Sequence, residues 1–184
     1  MEMIVFVFDS LPLSTNIAAI GNGWGSLADQ TVTAGADYTQ AGALPWRWTS
    51  GGFEILLVTS RRRKRWILPK GWPQEAEHLF QAAAREAAEE AGIKGVISRC
   101  EAGRYRYDKQ NAFGQDLPCQ VRVFPVEVHD LASRWPERKQ RRRAWMEPSE
   151  AAASVMEPEL QKILGAFHPG TMGLGMAEEQ ASPG

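Results

Sequence analysis

A layered α+β domain is the fold class that this sequence predicts, and three observations carry the prediction. Apolar, strand-like runs fill the middle of the chain. One long helix-forming run, Glu75 to Ala91, interrupts them, and two shorter helical patterns close the series. Strands, helix, strands, helix is the order of a sheet covered by helices rather than of a bundle or a barrel. With 184 residues, 43% of them hydrophobic and 23% charged, the chain suits one domain with a proper core and some loose sequence besides.

Residues 1–36 are rich in Gly, Ala, Ser and Thr and lack periodicity, so they are expected to form a poorly ordered extension. Gly21-Asn22-Gly23-Trp24-Gly25 has the glycines of a phosphate loop, but no strand pattern precedes it and no helix pattern follows, and it is read as loop. Met3 to Phe8 is apolar but has no basic residue before it and stops at Asp9, unlike a signal peptide or an anchor. The domain is expected over residues 37–167, with a flexible tail at 168–184.

Within the domain, Ala41 to Trp48 and Phe53 to Ser60 read as strands joined by the turn Thr49-Ser50-Gly51-Gly52. Phe53 to Val58 is almost wholly apolar, the pattern of a strand covered on both faces. Trp66 to Pro69 leads into a Lys70-Gly71 loop, and the Glu75–Ala91 helix ends at Gly92, a common helix stop. Val96 to Tyr107 and Gln120 to Val128 read as further strands. In the second the apolar face switches at Pro125, which suggests a bulge or an edge. Arg141 to Met146 reads as a last strand. Ser149 to Val155 and Pro158 to Phe167 read as helices, the latter with Leu160, Ile163, Leu164 and Phe167 on one side.

The charge balance, 21 basic against 22 acidic residues, gives no overall signature of a polyanion-binding protein. It is locally uneven: Arg61 to Arg65 and Arg138 to Arg143 are basic blocks, fit either for solvated loops or for a phosphate-rich substrate. Cys100 and Cys119 are too few for a disulfide framework and fit reduced thiols in a cytoplasmic protein. No apolar run is long enough for a membrane span. His78, His129 and His168 have no ligand spacing.

Chemistry concentrates between Gly71 and Ile93. At about 100° per residue, Glu86, Glu89 and Glu90 share one helix face, with Phe80, Ala84, Ala87, Ala88 and Ala91 roughly opposite. Carboxylates gathered in this way repel one another unless a cation joins them, and hard divalent ions such as Mg²⁺ bridge carboxylates to substrate phosphates. Arg85 can pair with Glu89 at i+4 and orient it.

Written as spacing, the stretch is G-x5-E-x7-R-E-A-x-E-E-x-G-I, with Gly71, Glu77, Arg85, Glu86, Glu89, Glu90, Gly92 and Ile93 at its fixed positions. It resembles the signature of the Nudix hydrolases at every one of them. The resemblance implies a Nudix-type α/β/α sandwich with a mixed central sheet and hydrolysis of a phosphoanhydride with Mg²⁺, or Mn²⁺ in its place. It implies metal ligation by the Gly71 carbonyl, Glu86, Glu89 and Glu90, and catalysis by Glu89 as general base with Arg85 beside it. Spacing alone does not divide the roles among the glutamates. Glu77 is expected to support the loop.

Leu56 to Arg61, Arg65 to Gly71, Glu90 to Gly95 and Trp135 to Trp145 further resemble the branch that hydrolyses diphosphoinositol polyphosphates and diadenosine polyphosphates. This implies a polyphosphorylated small molecule as partner, held by Arg61, Lys70, Arg141 and Arg143. Trp72 departs from that branch, which carries a second glycine there. Three alternatives stay open: an RNA 5′-end pyrophosphohydrolase, with an RNA end as the one nucleic-acid partner considered; an ADP-ribose or nucleoside triphosphate pyrophosphatase; and a non-catalytic, nucleotide-binding regulator. The three intact glutamates speak against the last. Nothing in the sequence sets the oligomeric state.

Overall fold

The computed structural model describes residues 38–110 and 115–172. The expectations for residues 1–36, and for the tail beyond Met172, fall outside them. Eight strands form one sheet: β1 (Tyr38–Thr49), β2 (Gly52–Thr59), β3 (Trp66–Ile67), β4 (Lys70–Gly71), β5 (Ile93–Ile97), β6 (Gly103–Gln110), β7 (Asp116–Leu131) and β8 (Arg143–Met146). The helices are α1 (Leu79–Ala91), α2 (Pro148–Ser154) and α3 (Pro158–Ala166). The main path through the sheet runs β3-β2-β1-β7-β5, with β4 on β1, β6 on β7 and β8 on β2. The central pair β1–β7 is parallel, from Tyr38 opposite Cys119 to Trp46 opposite Glu127, and the other pairs are antiparallel, so the sheet is mixed.

The side-chain alternation of the strands separates two cores. Ala41 and Ala43 of β1, Leu56 and Val58 of β2, and Phe124 and Val126 of β7 face α1, which meets them with Ala82, Ala83, Ala87 and Ala91. Leu44 and Trp46, Ile55 and Leu57, and Val121 and Val123 face the other way, against Ala151, Leu160, Leu164 and Phe167 of the α2–α3 layer. This is an α/β/α sandwich. Each fully buried aliphatic side chain, such as Leu160 or Leu164, contributes about 1.5–3 kcal/mol. The alanines of α1 contribute less each, but they let the helix lie close to the sheet, which matters for the site.

Four elements differ from expectation. The helix starts at Leu79, not Glu75, because Ala76 adopts a left-handed conformation (φ 59°) and Glu77 turns its carboxylate back onto the Gln74 N–H. The strand read as Val96–Tyr107 is two strands, parted by a turn in which the Ser98 hydroxyl accepts from the Cys100 N–H. Lys70-Gly71 is a short strand on β1, with Gly42 opposite Lys70 and Ala41 opposite Gly71. Pro125 is neither at a bulge nor on an edge: it pairs in register with Leu44. Its missing N–H falls where the other neighbour of β7 changes from β6 to β5, and its carbonyl accepts from the Ser98 N–H. The apparent switch of face is a strand covered first by one layer and then by the other.

The sheet's irregularity lies instead at Lys94/Gly95 of β5, where a Cβ on Gly95 would run into the Glu127 carbonyl. At the other end, the expected break after Phe167 is followed by packed structure. His168 meets Phe53 and Trp48 with ring centroids 5.4 and 6.2 Å away, and Pro169–Met172 forms a 3-10 turn.

Candidate active site

The site is built where the carboxylate-bearing side of α1 meets the two-residue strand β4. The Glu86 carboxylate lies directly against Gly71, where any Cβ would overlap it. One residue earlier, the Lys70 N–H donates to Glu90 Oε2 at 3.3 Å. The narrow strand therefore touches two of the three carboxylates with its backbone, Glu90 by a hydrogen bond and Glu86 by packing. This explains a residue without a side chain at position 71: the space belongs to Glu86.

The three glutamates share the helix side as the spacing implies, but their exposure differs sharply. The Glu89 side chain is 47% exposed, against 14% for Glu86 and 7% for Glu90. Burial pushes the Glu90 carboxyl up to about 7, in spite of the pull of Arg141 and Lys70. Burial also raises Glu89, with Arg85 opposing the shift. No three His, Cys, Asp or Glu side chains among the described residues converge on one point. Each carboxylate is instead engaged by an arginine.

Arg85 is the hub of these contacts. Its strongest partners are Glu77, at 3.1 and 3.2 Å, the Trp72 carbonyl at 2.9 Å and Glu86 at 2.8 Å. The i+4 contact to Glu89, at 3.5 Å, is the weakest of the set. The hydrogen bonds that Arg85 donates to Glu77 lead the effects that raise the Arg85 pKa. Burial alone would raise Glu77, but the donors Arg85 and the Gln74 N–H outweigh it and hold that carboxyl below its usual range. One arginine thus ties the loop after Gly71 to the helix.

Glu90 belongs to a second arginine. Arg141 is buried; its Nη2 donates to Glu90, its Nε to Glu137 and its Nη1 to the Thr59 carbonyl at 3.0 Å. The segment between β7 and β8 also covers the end of α1. The Glu137 N–H donates to the Glu89 carbonyl, and the Trp135 ring nitrogen to the Glu90 carbonyl at 3.2 Å. Arg143 donates to the Ala91 and Ala132 carbonyls and lies over the Trp135 ring at 3.9 Å. Gly92 sits beneath them with φ 66°, the left-handed helix stop that the sequence announces.

Of the residues expected on substrate, then, Arg141 and Arg143 are engaged with the helix. Arg61 is open: its side chain is 60% exposed, with Glu137 at 3.4 Å. Lys70 lies between these cases. Its ammonium donates to the Tyr107 hydroxyl at 3.1 Å, and that hydroxyl donates to Gln40 at 2.6 Å. Burial pushes Lys70 down to about 8. Tyr107 and Gln40 have no signal in the sequence, since only the sheet register brings them to the site; Trp135 and Glu137 lie in the stretch that resembles the branch, but their contacts with the end of α1 come from the crossing of the β7–β8 segment.

The two basic blocks meet. Lys64 donates to the Gln140 carbonyl at 2.8 Å, and a cavity of about 390 Å³ opens there among Lys64, Trp66, Arg138, Lys139 and Arg142.

A mixed sheet between helices, with Glu86 and Glu90 of α1 packed against the two-residue strand β4, defines the class: an α/β/α sandwich domain. The NUDIX domain family profile matches residues 40–167, and the chain belongs to the Nudix family of hydrolases. Among relatives, Nudix hydrolase 12, mitochondrial, of Arabidopsis thaliana is 32% identical over 62% of this chain and 58% of its own length. The chain therefore spans little more than half of that relative. Diphosphoinositol polyphosphate phosphohydrolase 3-alpha of Mus musculus is 37% identical over 53% of this chain and 57% of its own. The C. elegans Ap4A hydrolase binary complex superposes with a TM-score of 0.56 at 24% identity, covering 74% of this chain and 99% of that one, and supports the fold. No helix among the described residues is long and apolar enough to cross a membrane.

Proposed function

We propose that this chain is a Mg²⁺-dependent hydrolase that cleaves a phosphoanhydride bond in a diphosphoinositol polyphosphate or a diadenosine polyphosphate. The observation behind this reading is that Glu86 and Glu90 pack against Lys70-Gly71 while Glu89, on the same side of α1, stays open to solvent. The donor set fits a hard divalent ion, since it consists of carboxylate oxygens beside a backbone strand, and the cradle at Gly71 is shaped around one of the carboxylates. Glu86, Glu89, Glu90 and the Gly71 carbonyl would hold Mg²⁺ or Mn²⁺, which supplies neutralisation of the diphosphate and a water of lowered pKa.

The other roles fall to the chain itself. Glu89 is the most open of the three and its carboxyl is raised, which suits acceptance of a proton from the attacking water. Arg85 orients Glu86 and the Trp72 carbonyl together. Arg61 and Lys70 meet phosphate oxygens, while Arg141 and Arg143 act through Glu90 and the end of α1. The cytoplasm is the proposed compartment, on the free thiols Cys100 and Cys119; cell fractionation tests it.

Gly71→Ala should displace the Glu86 carboxylate and weaken Mg²⁺ binding by about 10–100-fold, the range for lost support of a metal ligand. Titration calorimetry reads this directly. Unchanged affinity would remove Glu86 from the ligand set.

A substrate panel tests the function. Wild-type protein with Mg²⁺ should turn over a diphosphoinositol polyphosphate or diadenosine tetraphosphate faster than ADP-ribose. Arg61→Gln should raise KM for the polyphosphates by about 10–100-fold, the loss of one charge-assisted contact, and the effect should shrink with added salt. ADP-ribose, with two phosphates, should respond far less. Equal loss on both kinds of substrate, or none, would leave the Arg61 block as surface decoration.

A further inference from the structure

Trp72 follows directly on Gly71, at the mouth of the site. Its carbonyl is held by Arg85, the same guanidinium that holds Glu86. Its indole is not drawn into the core: the residue is 38% exposed, and Tyr38, 41% exposed, stands beside it. The two rings meet edge to face, with centroids 6.2 Å apart and planes at 77°. The ammonium of Lys109 lies 4.7 Å from the indole centroid. Single exposed apolar residues are ordinary on any surface. Here two aromatic rings are in contact, and one of them is fixed by its backbone to Arg85 and faced by a cation.

We infer that Trp72, braced edge to face by Tyr38, offers its indole as a stacking platform for the base of a nucleoside polyphosphate, with Lys109 beside it for the adjoining phosphate. This deepens the reading given under Proposed function and rests on it: of the two substrate types, the platform selects the dinucleoside one. An inositol ring is saturated and studded with phosphates, and gains nothing from an indole face. A purine has a π-face, and stacking on tryptophan is tolerant of which base is present. As the base takes the ring face, Lys109 is free to move to phosphate, so the cation that now covers the indole comes to offset the substrate's charge. Tyr38 braces the indole upright and so limits the ordering cost of binding. A side chain at this position also explains how a branch that carries glycine there can diverge in substrate.

Kinetics and binding test the inference separately. Trp72→Ala should raise KM for diadenosine tetraphosphate by about 10–100-fold relative to its effect on a diphosphoinositol polyphosphate, while Trp72→Phe stays within a few-fold of wild type. In binding, AMP should quench the tryptophan fluorescence of the wild-type chain, ribose 5-phosphate should not, and Trp72→Phe should lose most of the quench. If AMP binds through Trp72 in a chain that hydrolyses none of the panel, the platform stands and the proposed activity falls. If diadenosine tetraphosphate is hydrolysed but both substrates respond equally to Trp72→Ala, and AMP quenches no more than ribose 5-phosphate, the platform is overturned and the activity stands.

Discussion

Glu89→Gln is expected to lower kcat by about 10²- to 10⁴-fold, the usual cost of losing a general base, with little change in thermal unfolding. The change is isosteric, and the Glu89 side chain is nearly half exposed. Its one arginine contact, to Arg85, is the longest that Arg85 makes. Arg85 keeps Glu77, Glu86 and the Trp72 carbonyl, so the helix and the loop stay joined. Stopped assays over a range of Mg²⁺ concentration separate the base from a ligand role: loss of a base persists at saturating metal, whereas loss of a ligand is partly recovered. Turnover within a few-fold of wild type would place the base elsewhere, with Glu86 and Glu90 next in line.

The largest structural effect is expected from Arg141→Ala. The Arg141 and Glu90 side chains are only 5% and 7% exposed, and Arg141 also joins Glu137 and the Thr59 carbonyl. Removing one partner of a buried ion pair typically costs about 3–5 kcal/mol, because the other charge is left uncompensated. At about 2–4 °C per kcal/mol for a chain of this size, the unfolding midpoint should drop by roughly 10 °C. Arg141→Met with Glu90→Gln should lose less than the sum of the single changes, since neither then leaves a buried charge alone. Scanning calorimetry on wild type, Arg141→Met, Glu90→Gln and the double variant closes the cycle. An Arg141→Ala protein that melts with wild type and only raises KM would return Arg141 to the substrate.

How far the sequence alone reached depends on which residues are asked about. Glu86, Glu89 and Glu90 are three and four positions apart, so one helix period places them together, and Gly92 marks the helix end for local steric reasons. The layering was equally legible, because Phe53 to Val58 is apolar on both of its alternating sides and the α2 and α3 runs carry their own periodicity. What escaped was non-local. That Glu90 is buried, and not open like Glu89, depends on Arg141, which lies 51 positions later and reaches the helix only because β8 pairs with β2. Arg141 and Arg143 carry the residue type of a phosphate binder, and only the fold shows them turned onto carboxylate and carbonyl oxygens. The helix start was misplaced because Glu75, Ala76 and Glu77 are good helix formers whose preference is overruled by Arg85 drawing Glu77 into the loop. Pro125 misled because its missing donor is harmless at a change of strand partner, which no single sequence records.

On the proposed function, Glu86, Glu89 and Glu90 work on phosphoanhydrides through a divalent cation. Product release from diadenosine tetraphosphate and a diphosphoinositol polyphosphate, followed in Mg²⁺, in excess EDTA and after Mg²⁺ or Mn²⁺ is restored, tests it most directly. Turnover is expected in Mg²⁺, none in EDTA, and recovery with either ion. Full turnover in excess EDTA would contradict it.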